Sequence, residues 1–365
     1  MIKQSQEQYN KMMLGSNIRL SKVSILLTVL SCMLVIIYMW DTYGVGSRSG
    51  DTQTVSLVNL LIASIEAAKR GGVMVKRVKE GKDLGEKSKG KTKEGVNDPV
   101  TQGDMLSHEQ MYFSLLKMFP EVKIVSEEKS SEVPDVGDIK PINLDNTDVI
   151  EKLGSTFQSD VNIDDVTVWI DPLDATKEYT EDLRQYVTTM VCVAHKGQPV
   201  IGVIHKPFED VTVWAWKGHG RSPIPGFKTL SDRKDFNDLN IIVSRSHQGA
   251  VKELAASAFG ENSKVTAAGG AGYKALSVAQ RESDAYIHNT AIKKWDICAG
   301  NALLLTMGGD MTDLAGNKID YSPPTGPDRI GVKLTGGLVA TFQNHGIIVK
   351  KIKKAMNEKK KITVA

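Results

Sequence analysis

Hydrophobic and polar positions along this chain change their period several times, and each change marks a candidate element. The first apolar run, Val23 to Trp40 (VSILLTVLSCMLVIIYMW), holds eighteen residues without a charge. At about 1.5 Å per residue that approaches the thickness of a bilayer core. A signal-peptide core is shorter, about 7–15 residues, and a small-residue cleavage site follows it. Tyr38, Met39 and Trp40 instead suit an interfacial anchor. Lys11, Arg19 and Lys22 precede the run and Asp41 follows it, which sets the N-terminus in the cytosol and the body on the lumenal or outer side. The pattern therefore predicts a cytosolic tail over 1–22, a transmembrane signal anchor over 23–40 and a Gly/Ser/Thr-rich tether over 41–54. A buried core helix is the alternative for the apolar run.

Past the tether the period becomes helical. Leu57, Val58, Leu61, Ile62 and Ile65 share one face, and Lys69-Arg70-Gly71-Gly72 reads as the helix end. The Lys/Gly-rich stretch from Val75 to Gly95 reads as a mobile surface loop; a loop that draws in an anionic substrate is the sharper reading. Asp104 opens a second helix through Met111, Leu115 and Phe119, stopped by Pro120. Val122–Val125 is a short strand ending at Ser126-Glu127-Glu128, and residues 129–165 read as a long polar surface insertion. Then Val166, Val168 and Ile170 alternate with Thr167, Trp169 and Asp171, a strand that delivers Asp171 at its C-terminal end. Runs at Val187–Ala194, Val200–His205 and Val211–Trp216 with short connections predict an antiparallel meander. Beyond about Ser222 strand and helix alternate: NIIVSRSH into a helix at Gly249–Phe259, a strand at Ala285–His288, and a helix opened by Trp295-Asp296 and closed by Gly308-Gly309. Leu338–Phe342 and a basic terminal helix complete the body. The fold class is thus an α+β half over 55–222 followed by an α/β half over 223–365.

Composition changes this picture little. A hydrophobic content of 41% and a charged content of 24% are those of a globular protein. The net charge of +3, from 46 basic and 43 acidic residues, lacks the strongly basic balance of a nucleic-acid-binding domain. Three cysteines are too few for a disulfide scaffold; Cys32, Cys192 and Cys298 are read as reduced, with a Cys192–Cys298 bridge as the alternative. No Cys/His cluster has zinc spacing.

The chemistry is carried by acids at the ends of elements: Asp104, Glu127, Asp171, Asp174 and Asp296. Carboxylates brought together without cations push one another's pKa upward, so such a group exists to hold hard divalent ions. An all-oxygen donor set suits Mg²⁺ and not zinc. In Asp171-Pro172-Leu173-Asp174 both side chains are expected to enter one crevice, with the Leu173 carbonyl available beside them. Taken singly the signals are weak: an isolated Asp-Pro-x-Asp is more often a simple turn, and Glu127-Glu128 a solvated pair. AGGAG alone is a weak loop signal without the Walker lysine-serine ending, and His247 alone reads as a surface or helix-start residue. Trp169 and Trp295 read as packing residues.

In combination DPVTQGD (98–104), SEE (126–128), DPLDAT (171–176) and WDICAG (295–300) resemble the inositol monophosphatase superfamily of lithium-sensitive, magnesium-dependent phosphatases. The resemblance runs from about residue 55 to the C-terminus, with the motifs in family order. It implies a layered αβαβα sandwich and two or three Mg²⁺ ions. Glu127, Asp171, Asp174 and Asp296 would be the metal ligands together with the Leu173 backbone oxygen. Asp104 and Thr176 would be the pair that orients and deprotonates the attacking water. SRSH (244–247), AGGAGYK (268–274) and IKKWD (292–296) are similar to the branch that removes the 3′-phosphate of 3′-phosphoadenosine 5′-phosphate, giving AMP and phosphate and so clearing a by-product of sulfation. On that likeness Ser244, His247, Gly270 and Lys274 would hold the nucleotide, with Lys274 facing the uncleaved 5′-phosphate. A Golgi member of that branch shares the layout of cytosolic tail, single span and lumenal body, which implies a single-pass type II Golgi membrane protein. The alternatives are an inositol mono- or bisphosphate phosphatase and, in another class, an inactive membrane-tethered sensor or scaffold. A small-molecule nucleotide is the expected partner; no nucleic acid is expected, and oligomeric state stays open.

Overall fold

A computed structural model describes residues 53–364 apart from 92–94, 96, 131–138, 155–158, 231–234, 246–250 and 327–328; of residues 1–52 it describes Ser31 and Met33, both helical. Apart from those two residues, the predicted span and most of the tether therefore lie outside the described residues. Among the described residues no helix is long and apolar enough to cross a membrane.

In chain order the elements begin with β1 (Thr54–Ser56), α1 (Leu57–Glu80), β2 (Lys87–Lys91), β3 (Asn97–Val100), α2 (Gln102–Met118) and β4 (Lys123–Ser126). There follow α3 (Thr147–Leu153), β5 (Asp160–Asn162), β6 (Val166–Asp174), α4 (Thr176–Thr180), β7 (Thr188–His195), β8 (Gln198–Lys206), β9 (Val211–Trp216) and β10 (Gly220–Arg221). The rest comprises β11 (Asn240–Ser244), α5 (Val251–Phe259), β12 (Lys264–Ala268), α6 (Ala271–Ala279), β13 (Ala285–His288), β14 (Ile292–Lys293), α7 (Lys294–Thr306), β15 (Asp310–Thr312), β16 (Lys333–Leu334), β17 (Leu338–Thr341) and α8 (His345–Val364).

One sheet of six strands has the order β10-β9-β8-β7-β6-β4, antiparallel except where β4 lies parallel to β6. A second sheet of five strands has the order β12-β11-β13-β17-β15, parallel at β12-β11-β13 and antiparallel beyond. Three apolar clusters separate five layers. Leu60, Leu61, Ile65, Met111 and Leu115 from α1 and α2 meet Val168, Ile170, Val191 and Val203 on the outer face of the first sheet. On its inner face Trp169, Met190 and Ile204 pack against Leu276, Cys298, Ala302 and Leu303 of α6 and α7, which also meet Tyr286 and Ala340 of the second sheet. Ile241, Val243 and Val339 on the far side of that sheet pack on Phe259, Ile348 and Ile352 of α5 and α8. The result is the αβαβα arrangement. Because β6 is covered on both faces, all nine of its residues are buried, polar ones included.

The structure corrects four expectations. Gly71 and Gly72 do not end the first helix, which continues to a cap at Gly81. Both glycines are contact points: a Cβ at Gly71 would lie 2.5 Å from Met111 Sδ and Ser107 Oγ, and one at Gly72 would lie 2.5 Å from the His205 ring. The Val75–Gly95 segment, expected as a mobile loop, is the last turns of α1 followed by β2, which pairs antiparallel with β3. Residues 129–165 are not a surface insertion throughout, since Ile139, Ile142 and Val149 are buried and β5 pairs with β1. Cys192 and Cys298 are a disulfide and not free thiols. Strand β7 and helix α7 face each other there with Cα atoms 5.7 Å apart, inside the span a bridge needs.

Replacing Gly71 with alanine should destabilise the body by about 1–3 kcal/mol, the usual range for overpacking, even though alanine is the better helix former by about 1 kcal/mol. The midpoint of denaturant unfolding measures it; an unchanged or raised midpoint would show that α1 and α2 do not need this close approach.

Candidate functional site

Each acid of interest is placed by local backbone chemistry. Thr101 caps α2 and Asp104 is the third helical residue, so the two close a capping box: Asp104 Oδ2 accepts from the Thr101 amide at 2.7 Å and from Thr101 Oγ1 at 2.6 Å. That fixes the carboxylate and leaves Oδ1 pointing elsewhere. Strand β6 carries Asp171 and Asp174 to its end, with an irregularity between them, and Ala175 then takes a left-handed φ of 71°. This bend starts α4 immediately and turns the Thr176 hydroxyl to 2.9 Å from Asp104 Oδ1 and 3.1 Å from the Leu173 carbonyl. The one hydroxyl hydrogen serves one of these acceptors at a time.

Asp174 is held by helix α6. The Ala271 and Gly272 amides donate to it at 3.0 and 2.8 Å, and Thr188 Oγ1 donates at 3.2 Å. The glycines of AGGAG make room for protein neighbours: a Cβ at Gly269 would strike Glu178 at 2.4 Å, and one at Gly272 would strike Thr188 Oγ1 at 2.5 Å. Gly270 has φ 62°, which lets the chain turn into α6 against the Tyr186 carbonyl and Asp174. Asp296, third residue of α7, accepts from the Lys293 amide at 3.1 Å. Glu127 follows β4 and receives Lys89 of the β2–β3 hairpin at 3.0 Å, with Lys293 3.8 Å away. Lys89 also contacts Glu128.

These elements converge at the ends of β4 and β6. One carboxylate oxygen from each of Glu127, Asp171 and Asp296 lies within 4.8 Å of the others. A cavity of about 460 Å³ is lined by these three with Leu173, Asp174 and Thr176, and by Ser244, Gly270 and Lys274 on its other walls. His247 lies outside the described residues. Lys274 is buried, with its ammonium donating to the Gly270 and Ala268 carbonyls.

Burial is the dominant electrostatic fact. It lifts Asp104 to about 7 and Asp296 to about 8, with Glu127 adding repulsion in both cases. Asp171 is pushed well above the usual carboxylate range by burial and then by Glu127, Asp174 and Asp296. Burial raises Asp174 too, against Lys274 and the two α6 amides. It also draws Lys274 down to about 8, against the pull of Asp174 and Glu178. Crowded, dehydrated carboxylates of this kind are relieved by a hard cation, and the donor set is oxygen alone. Glu127, Asp171 and Asp296 could hold such an ion.

Four side chains at the site had gone unremarked in the sequence. Thr101 was legible as the first residue of a Thr-x-x-Asp cap. Lys293 stood inside the IKKWD motif without a role of its own, and Thr188 and Lys89 had no such signal, because their partners Asp174 and Glu127 lie on other elements and Lys89 is one of many lysines in a basic stretch.

A layered α/β body with a carboxylate cavity at the strand ends is the architecture of a metal-assisted phosphatase class. Residues 56–357 match the inositol monophosphatase family, and the chain belongs to that family. Among its relatives is the human Golgi-resident adenosine 3′,5′-bisphosphate 3′-phosphatase, 46% identical over 318 residues, covering 84% of this chain and 83% of that protein. Inositol monophosphatase 3 of Danio rerio is 46% identical over 307 residues, covering 82% and 85%. Among solved structures the extragenic suppressor protein suhB of Bartonella henselae superposes with a TM-score of 0.59 at 20% identity, over 81% of this chain and 98% of that one, a likeness of fold.

A carboxyl whose pKa is raised by folding binds more protons folded than unfolded, so stability is highest near the unfolded value and declines as pH climbs through the folded one. The metal-free protein should therefore lose stability between about pH 4 and about pH 8 on account of Asp104, Asp171, Asp174 and Asp296. Asp171→Asn should flatten that decline and remove the stabilisation gained on adding magnesium at pH 8. Thermal melts across pH, with and without the ion, test both; a metal-free protein most stable at pH 8 would contradict the crowding.

Proposed function

We propose that this chain is a magnesium-dependent phosphomonoesterase that removes the 3′-phosphate from adenosine 3′,5′-bisphosphate, yielding AMP and phosphate. The observation that carries the reaction type is the 2.9 Å hydrogen bond from Thr176 Oγ1 to Asp104 Oδ1, at the edge of a cavity lined by further buried acids. The nucleotide as substrate is supported by 46% identity to a relative that bears that activity in its name.

In this reading Glu127, Asp171, Asp174, Asp296 and the Leu173 carbonyl hold two or three magnesium ions. When bound, they supply charge neutralisation at phosphorus and lower the pKa of water. The chain's own part is to place and deprotonate the nucleophile. A water in contact with Thr176 gives its proton to Oγ1 while the threonine proton passes to Asp104 Oδ1. Asp104 suits the task because burial raises it above the usual carboxylate range, which makes it a better proton acceptor than an ordinary carboxylate. Its other oxygen stays fixed by Thr101, so the proton arrives at one atom. Ser244, Gly270, Lys274 and His247 bind the nucleotide. Lys274, beneath Gly270, contributes positive charge toward the 5′-phosphate that is not cleaved. The halves over 55–222 and 223–365 divide the work, the first carrying Asp104, Glu127, Asp171, Asp174 and Thr176, the second Asp296 and the nucleotide residues.

An inositol phosphate is the second reading, favoured by the equal identity to a relative named inositol monophosphatase 3. Phosphate release from the two substrate classes at equal concentration decides between them, and faster turnover of the inositol compound would overturn the nucleotide assignment. Thr176→Ala should lower kcat by about 10²–10⁴-fold, the usual yield of positioned acid–base groups, and Thr176→Ser should retain most of the rate. An alanine variant at full rate would remove Thr176 from the proton path.

For location we propose a type II Golgi membrane protein with its body in the lumen. The Golgi-resident relatives and the Cys192–Cys298 disulfide, a bond that persists in oxidising compartments, support it. In sealed microsomes the body should resist added protease until detergent is present. Digestion without detergent would place it in the cytosol.

A further inference from the structure

A second cavity, of about 560 Å³, adjoins the first and shares Glu127, Lys293, Lys333 and Thr335 with it. Four cations line it, Lys89, Lys293, Arg329 and Lys333, against two acids, Glu127 and Glu128. Those acids are already matched. Lys89 bonds to both, and Lys293 stands 3.8 Å from Glu127. The positive charge that remains is that of Arg329 and Lys333. Arg329 is fixed in place: one N–H donates to the Ser126 carbonyl at 2.6 Å, and the guanidinium lies 4.9 Å from the centre of the Trp295 ring. Lys333 is exposed and has no acidic partner among the described residues. The remaining wall is apolar, formed by Trp295, Val332 and Ile330, the last 67% exposed.

A rigid guanidinium fork beside an exposed ammonium, with nearby acids neutralised by other lysines, is the donor arrangement that recognises a phosphate dianion. We propose that this cavity is a second phosphate-binding site, separate from the position where the scissile phosphate reacts. Its occupant is either free orthophosphate, which the reaction would release, or the phosphate of an organic ester whose body rests on Ile330 and Val332. The two sources share the charge chemistry and differ in whether the apolar wall contributes.

The test is calorimetric titration of the full-length protein in detergent, stripped of metal by chelator so that cation-dependent binding at the acids is silent. Inorganic phosphate and ribose 5-phosphate serve as probes at low salt. Binding that depends on Arg329 should amount to one phosphate per chain, counted apart from any phosphate held at Lys274, with affinity falling as salt rises. Arg329→Gln should weaken it by about tenfold, in the range for loss of a charge-assisted pair, and Arg329→Lys should recover part of the loss. Lys333→Gln, at an exposed position that tolerates change, should weaken it severalfold. Tighter binding of the sugar phosphate than of phosphate would assign the ester, and equal binding would assign orthophosphate. Absence of binding to the wild type, or wild-type affinity in both the Arg329→Gln and Lys333→Gln proteins, would overturn the proposal. No turnover is measured, so its failure would leave the proposed reaction untouched.

Discussion

Buried carboxylates facing one another across a cavity are the constraint around which the rest of this fold is arranged. Like charges in a low-dielectric interior repel strongly, and the cost of removing each from water comes on top. The protein tolerates this by tying individual oxygens to backbone donors: Thr101 N to Asp104, the α6 amides to Asp174, Lys293 N to Asp296. Three helix starts are committed to the purpose. Neutralising charge is kept close but on separate elements, Lys89 on a hairpin and Lys293 ahead of α7. Such a site is pre-organised for cations at the expense of metal-free stability, a common trade at functional centres.

The layers around it give these ends their rigidity. Trp169 packs under the acids of β6 and donates its indole N–H to the Tyr321 carbonyl at 2.9 Å, so the strand cannot slide without breaking a buried hydrogen bond. Ser107 of α2 donates to the Pro172 carbonyl at 2.6 Å, joining the helix that carries Asp104 to the segment that carries Asp171 and Asp174. The 2.9 Å hydrogen bond between Thr176 and Asp104 thus rests on contacts among residues that do not line the cavity.

Much of this was visible in the order of residues, and the limits are instructive. The alternation through Val166, Val168 and Ile170 located β6 because each side of a strand repeats every second residue. The three meander runs gave β7, β8 and β9 because their connections are short. Acid motifs at element ends marked which side chains to follow. The helix end at Gly71-Gly72 failed for a physical reason: glycine serves equally as a stop and as a gap for a neighbour, and only Met111 and His205, distant in the chain, decide which. The reading of Cys192 and Cys298 as reduced failed similarly, since their bridge, held there only as the alternative, depends on β7 and α7 lying back to back. AGGAG read alone as a weak loop signal for the same reason: its glycines at 269 and 272 make room for Glu178 and Thr188, which are remote in the chain. Pairings between remote segments are a property of the packed layers and have no local signature.

That bridge has a further implication for how the chain behaves when it loosens. Its two sulfurs are separated by 106 positions, so the covalent ring they close contains most of the second sheet together with α5 and α6. On the chain-entropy estimate a ring of that length removes roughly 4–5 kcal/mol of disorder from the unfolded ensemble. It also keeps the strand neighbouring β6 within a fixed distance of the helix bearing Asp296, even in partly opened states. The two banks of the cavity are thereby leashed, and a chain that has transiently melted searches a much smaller space before its acids face each other again.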